Sequence, residues 1–201
     1  MRQFRAIVTS SLIIVFASVS AVAQEARLKS ALDGETLVKV TKMTDSARAE
    51  SLPVDPLVGV ALEGAQRRAP GARIVTAVHD YLVALRGARA ALGPDATSPE
   101  IVSGAGVLLS GVSADALHRI SLAGTRRPLT VPLVVLADLI ARGVPKDTAA
   151  RAIEVAARAN ARDDDYSALR RYVEQDILAG ASPAAAAMLR VRGITGGPPL
   201  E

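Results

Sequence analysis

His79 and His118 are the two side chains best suited to move a proton near neutral pH, and neither has the neighbours that catalysis needs. They stand 39 positions apart, and no motif brings them together. His79 precedes Asp80 and borders an apolar stripe through Val78 and Tyr81, while His118 follows Leu117. The His-Glu-x-x-His spacing that places two imidazoles and a base on one helix face is missing. A ligand-binding or cofactor-free catalytic role would need His79 or His118 to meet Asp or Arg side chains in a concavity between helices.

Asp163-Asp164-Asp165 invites a calcium reading, but a calcium loop counted from Asp163 needs glycine at its sixth position and the chain has Ala168. Glu174 at the twelfth does not rescue the match. Carboxylates opening a helix, drawn there by its unpaired amides, are the simpler account. Ser103-Gly104-Ala105-Gly106 lacks the Gly-Lys-Ser/Thr ending of a phosphate loop, and no serine has a nucleophile-elbow context. Cysteine is absent, which removes thiolate nucleophiles, thiol redox chemistry and disulfides. The sequence therefore assigns no catalytic residue, no cofactor and no metal ligand.

Three arginine pairs remain: Arg67-Arg68, Arg126-Arg127 and Arg170-Arg171. They are candidates for an interaction surface facing an acidic protein, a polyanion or a lipid headgroup, against the plainer alternative of a solvated surface. The sequence gives none of them an aromatic platform.

The elements that must carry these residues are helical. Both phenylalanines lie within the first 16 residues, so beyond residue 23 the only aromatics are Tyr81, Tyr166 and Tyr172. A core of Ala, Leu, Val and Ile suits closely packed helices, since alanine has the best helix propensity and sheets favour β-branched and aromatic residues. Ile74, Val78, Tyr81, Leu85, Ala88 and Leu92 follow at three- and four-residue steps, as on one face of a helix. The whole reads as all-α: eight or nine short helices joined by tight Gly/Ser/Pro turns. These would form irregular helical hairpins, in an orthogonal bundle or a short superhelical array.

The start predicts export. Arg2 and Arg5 form a basic head, an apolar stretch runs from Ala6 to about Val19, and Ala21-Val22-Ala23 supplies a small-x-small cleavage site. The apolar stretch is shorter than the roughly 20 residues that span a bilayer comfortably. An uncleaved inner-membrane anchor is the alternative. The expected organisation is a signal over 1–23, a flexible segment over 24–32, one all-helical domain over 33–190, and a disordered Gly/Pro-rich tail over 191–201. Cleavage leaves 178 residues with 22 basic and 20 acidic side chains, too even a balance to argue for nucleic acid or for membrane contact.

A recurring joint organises the helices: Ser51-Leu52-Pro53, Arg68-Ala69-Pro70, Gly111-Val112-Ser113, Gly143-Val144-Pro145 and Gly180-Ala181-Ser182. The first residue can end a helix in the left-handed conformation, the second packs into the corner, and Ser or Pro opens the next helix. Four positions beyond each joint stands an apolar residue: Leu57, Ile74, Leu117, Ala149 and Ala186. The Gly143 joint also imitates a DNA-reading helix-turn-helix. The helix after it mixes Lys146, Arg151 and Arg158 with Asp147 and Glu154, and export would separate the chain from chromosomal DNA.

Three blocks resemble those of exported, all-helical bacterial proteins of uncharacterised function: 45–50, 57–74 and 127–133. The resemblance spans roughly 33–190 and implies export and helices, with no catalytic residues to carry over. The expectation is a non-enzymatic structural or protein-interaction module of the periplasm or cell envelope, whose partner is an envelope protein. The alternative is a small-ligand binder, or a cofactor-free enzyme, with a pocket between helices.

Overall fold

A computed structural model describes residues 26–124, 128–194 and 196. Its described residues are all-helical, with no strand among them. Ten helices follow one another: α1 (residues 26–31), α2 (Gly34–Ala49), α3 (Asp55–Gln66), α4 (Gly71–Leu92), α5 (Ser98–Leu109), α6 (Ala114–Ala123), α7 (Thr130–Ala141), α8 (Lys146–Arg158), α9 (Asp163–Leu178) and α10 (Pro183–Ile194). Residues 26–31, expected to be loose, are instead helical and bury Leu28. The last helix likewise runs to Ile194, past the expected end near Arg190.

The helices distribute over two compact units, where the sequence reading had a single domain. The first holds α1, α2, α3 and α4 up to His79; the second holds Ser51–Pro53, α4 from Asp80, and α5 to α10. In the first unit α2 packs on α3, and Val40, Ala47, Leu57, Ala61 and Val78 are shielded completely. Asp33 caps α2, accepting the Thr36 amide at 2.9 Å and its hydroxyl at 2.7 Å. These bonds favour the ionised carboxylate and lower its pKa.

The second unit has a simple order. Helices α5 and α6, α7 and α8, and α9 and α10 pack as three successive hairpins. Across hairpins, α5 packs on α7 and α7 on α9, while α6 packs on α8 and α8 on α10. Three hairpins thus stack in two layers, α5/α7/α9 and α6/α8/α10. Leu117, Leu133, Leu136, Leu139 and Ile153 fill the space between them with no exposed surface. Val134 is 46% exposed, while its neighbour Val135 faces inward.

The joints explain how the hairpins close. Every predicted first residue has positive φ: Ser51 (55°), Arg68 (54°), Gly111 (88°), Gly143 (87°) and Gly180 (97°). In the Gly143 joint the Gly143 amide donates to Ile140 O at 2.9 Å and the Val144 amide to Leu139 O at 3.0 Å, which satisfies carbonyls the helix leaves unpaired. The same pair of bonds recurs at Arg68, Gly111 and Gly180. A sixth copy was not read from the sequence: Asn160, at φ 53°, with Ala161 buried in the corner. Asparagine tolerates the left-handed region because its short polar side chain bonds locally. All five residues four positions beyond the joints are buried, and the sixth joint adds Tyr166.

Arg68 occupies a left-handed position with a full side chain. Arg68→Gly is expected to stabilise the protein by about 1 kcal/mol, since the left-handed conformation costs residues with a Cβ roughly 1–2 kcal/mol and glycine returns part of that as unfolded-chain entropy. Urea unfolding of the variant beside the parent measures it. A lower midpoint would contradict the assignment.

Candidate functional site

The sequence candidates disperse when placed on the fold. Arg126 and Arg127 lie outside the described residues. Arg67 ends α3 and pairs with Glu63 at 2.7 Å, with both side chains mostly in solvent; Arg68 beside it is exposed. Arg170 pairs with Asp138 at 3.0 Å, linking α9 to α7. Its neighbour Arg171 does have an aromatic partner, contrary to the sequence reading, with its guanidinium 5.0 Å from the Tyr172 ring centre. Exposed ion pairs of this sort contribute at most about 1 kcal/mol each.

Both histidines are exposed. His118 Nδ1 lies 2.9 Å from Ala91 O, and a carbonyl only accepts, so that nitrogen carries the proton. Ser121 Oγ reaches the same carbonyl at 3.2 Å. His118 therefore helps fasten α6 to the end of α4, and it lines none of the three concavities described here. Among the described residues no three His, Asp or Glu side chains gather as a metal would require.

The concavities differ in chemistry. The first, about 330 Å³, lies beside Gly124 and Leu129 and is bordered by Arg162, Asp163 and Tyr166. Tyr166 is 3% exposed, and burial, with Asp163 and Asp165 adding repulsion, pushes its phenol up to about 12. Because the folded pKa exceeds the unfolded value near 10, the linked stability is fully present below pH 10 and is lost as pH rises through about 12. Two pH units correspond to about 3 kcal/mol. Stability should therefore fall over that alkaline window, and Tyr166→Phe should flatten the fall; unfolding midpoints from neutral to strongly alkaline pH test it.

The second, about 500 Å³, follows α9 and α10 and is mostly apolar, with Ala179, Ala185, Met188 and Leu189 along it. At its edge Arg190 grips Asp176 through two bonds of 2.6 Å, a fork geometry that also lowers the Asp176 pKa. The Arg190 guanidinium lies 5.2 Å from the Tyr172 ring, so this cluster ties α10 to α9.

The third is a charged groove of about 450 Å³ between α6 and α8. Arg119 comes from α6; Asp147, Arg151, Glu154 and Arg158 come from α8, at spacings of three and four residues that put them on one helix face. Glu154 is the half-buried centre, its side chain 13% exposed. It accepts Arg119 Nε at 3.4 Å and is bridged by Arg158 from its other oxygen. Arg151 is exposed and makes no ion pair or hydrogen bond among the described residues.

That groove belongs to the more basic layer. Helices α6, α8 and α10 carry Arg119, Lys146, Arg151, Arg158, Arg190 and Arg192 against Asp115, Asp147 and Glu154. Helices α5, α7 and α9 carry seven acids against only Arg170 and Arg171. The near-neutral total hides this division, because charges far apart in sequence collect on one layer only after the hairpins stack. Helical spacing along the chain finds Asp147, Arg151, Glu154 and Arg158 as one stripe, but nothing in the sequence marks Arg119, which only the α6–α8 contact adds.

No protein-family model, no curated protein and no solved structure matches this chain.

Proposed function

We propose that this chain is a non-enzymatic protein-interaction module of the cell envelope, exported by residues 1–23 and using the α6/α8/α10 layer to meet its partner. The observation that carries the reading is the two-layer hairpin stack with bases gathered on one layer and Arg151 there making no ion pair among the described residues. Stacked hairpins offer a rigid, extended surface whose side chains are free for recognition because the core is built between the layers. Charge segregation adds steering toward an acidic surface. The basic head, apolar stretch and Ala21-Val22-Ala23 support the envelope location.

The test expresses the full chain with a C-terminal tag in a bacterium that has a periplasm. Periplasmic protein beginning at Gln24 is expected, and cytoplasmic protein retaining residues 1–23 would overturn the location. Crosslinked capture should then recover a reproducible envelope partner with the parent and lose it with Arg151→Glu. Equal recovery by both would sink the assignment of this layer.

A further inference from the structure

From the α6–α8 groove we infer a docking site for an acidic peptide segment in extended, polyproline-like conformation, with carboxylates recurring at every third residue. The inference rests on the interaction reading above and supplies the chemistry of the partner. Glu154 fixes two guanidiniums, Arg119 across the groove and Arg158 along α8, and each retains N–H donors that the carboxylate does not use. Holding them costs a ligand little ordering, because the ion pairs have already restricted both side chains. Arg151 stands one turn before Glu154, and among the described residues nothing bonds its guanidinium. Ser113 at the rim accepts the Ala116 amide through Oγ at 3.2 Å and keeps its hydroxyl proton to donate.

The order of charges along α8 selects the shape of the ligand. Arg151 and Arg158 are seven residues apart, about 10 Å along the axis. Glu154 lies between them, so a compact anion bridging the two arginines would sit against a carboxylate. An extended chain avoids this by placing one carboxylate at each arginine and an uncharged residue over Glu154. In a polyproline II chain the side chains return to one face every three residues, about 9 Å apart, close to the arginine spacing. Three cations against Glu154 and Asp147 leave the groove with a net positive charge, which matches a ligand of this sign.

The experiment measures fluorescence anisotropy of a labelled Glu-Pro-Pro repeat peptide with the chain lacking residues 1–23, at low salt. Saturable binding is expected, weakening as salt rises, with no comparable binding by the Gln-Pro-Pro peptide. Arg151→Ala should weaken binding about tenfold and Arg151→Lys should recover part of it, since the lost contact is a charge-assisted hydrogen bond. Lys39→Ala, a surface change on α2 in the other unit, should leave it unchanged. Equal binding of the Gln-Pro-Pro peptide, or an unchanged affinity with Arg151→Ala, overturns the proposal. So does displacement of the peptide by equimolar inorganic phosphate or a short DNA duplex, which would make the groove a phosphate or nucleic-acid site. If peptide binding fails while capture still depends on Arg151, the interaction reading stands and this ligand chemistry falls.

Discussion

Glu100→Ala is expected to destabilise the protein by about 3–5 kcal/mol, the largest effect of any single polar substitution proposed here, because it removes a buried carboxylate that donors have been built around. Glu100 is 1% exposed. One oxygen accepts the Thr97 amide and the Thr97 hydroxyl, each at 2.8 Å, and the other accepts the Leu129 amide at 2.8 Å. The Thr97 side chain in turn accepts the Glu100 amide at 3.4 Å, completing a capping box at the start of α5. A capping box on an exposed helix contributes only about 1 kcal/mol. Here the same carboxylate also crosses to Leu129, at the entrance to α7, and Leu129 is itself buried. Truncation would strand that amide away from water. Glu100→Gln tests the account further: its carbonyl can replace one acceptor, but its NH₂ would meet a donor, so it should recover only part of the loss. Denaturant unfolding of both variants gives the comparison, and a loss below about 1 kcal/mol for Glu100→Ala would reduce Glu100 to an ordinary cap.

Gly124→Ala should cost about 2–3 kcal/mol, for a reason unrelated to backbone freedom. Gly124 has φ −128° and ψ 164°, which any residue adopts. A Cβ there would lie 2.6 Å from Ala157 O and 3.2 Å from Ala157 C. The obstruction is backbone of α8, which cannot rotate aside as a side chain would, so α6 and α8 must separate or Gly124 itself must shift. Overpacking of this kind typically costs 1–3 kcal/mol, and rigid backbone places it at the upper end. Gly64→Ala makes a useful comparison, since its Cβ would meet the Ile74 side chain at 2.8 Å and that chain can change rotamer. Thermal unfolding of the two should rank Gly124→Ala as clearly the more damaging. The reverse order would mean that the α6–α8 contact yields more readily than the close approach of Gly124 to the Ala157 carbonyl implies.

Much of the fold could be read residue by residue. The Gly143 joint predicted where α7 ends, and its bonds close as the Gly-Val-Pro sequence implies. Periodicity likewise located α4, where Val78, Leu85, Ala88 and Leu92 are all buried. Glycines within helices are less informative: a Cβ at Gly64, Gly87 or Gly104 would meet neighbours, while Gly59 and Gly106 face open space. The Asn160 joint was missed because Asn-Ala-Arg shares no residue type with the glycine copies at its ends. Only the φ of 53° at Asn160 and the burial of Tyr166, four residues beyond Arg162, reveal the same unit. At α5 the cap is Thr97 and not the adjacent Ser98, since Thr97 stands three residues before Glu100.

Joint chemistry and apolar period are local, and local rules act before the chain has folded. By itself, therefore, the sequence determined an all-helical chain, the turns between most of its helices, and the absence of any compact catalytic motif. Which helices become neighbours depends on packing between segments 20 to 40 residues apart, and periodicity carries no record of that partner choice. Tertiary structure alone decided that the joints at Gly111, Gly143 and Gly180 would each close a hairpin and that the hairpins would stack in two layers. The same stacking turned Glu100 from a helix-opening acid into a buried clasp on Leu129, and set Arg119 opposite Glu154. The adjacent arginine pairs drew attention in the sequence because they were contiguous. The groove is more concentrated in chemistry than any of the described pairs, and its basic residues come from two helices that meet only in the folded protein.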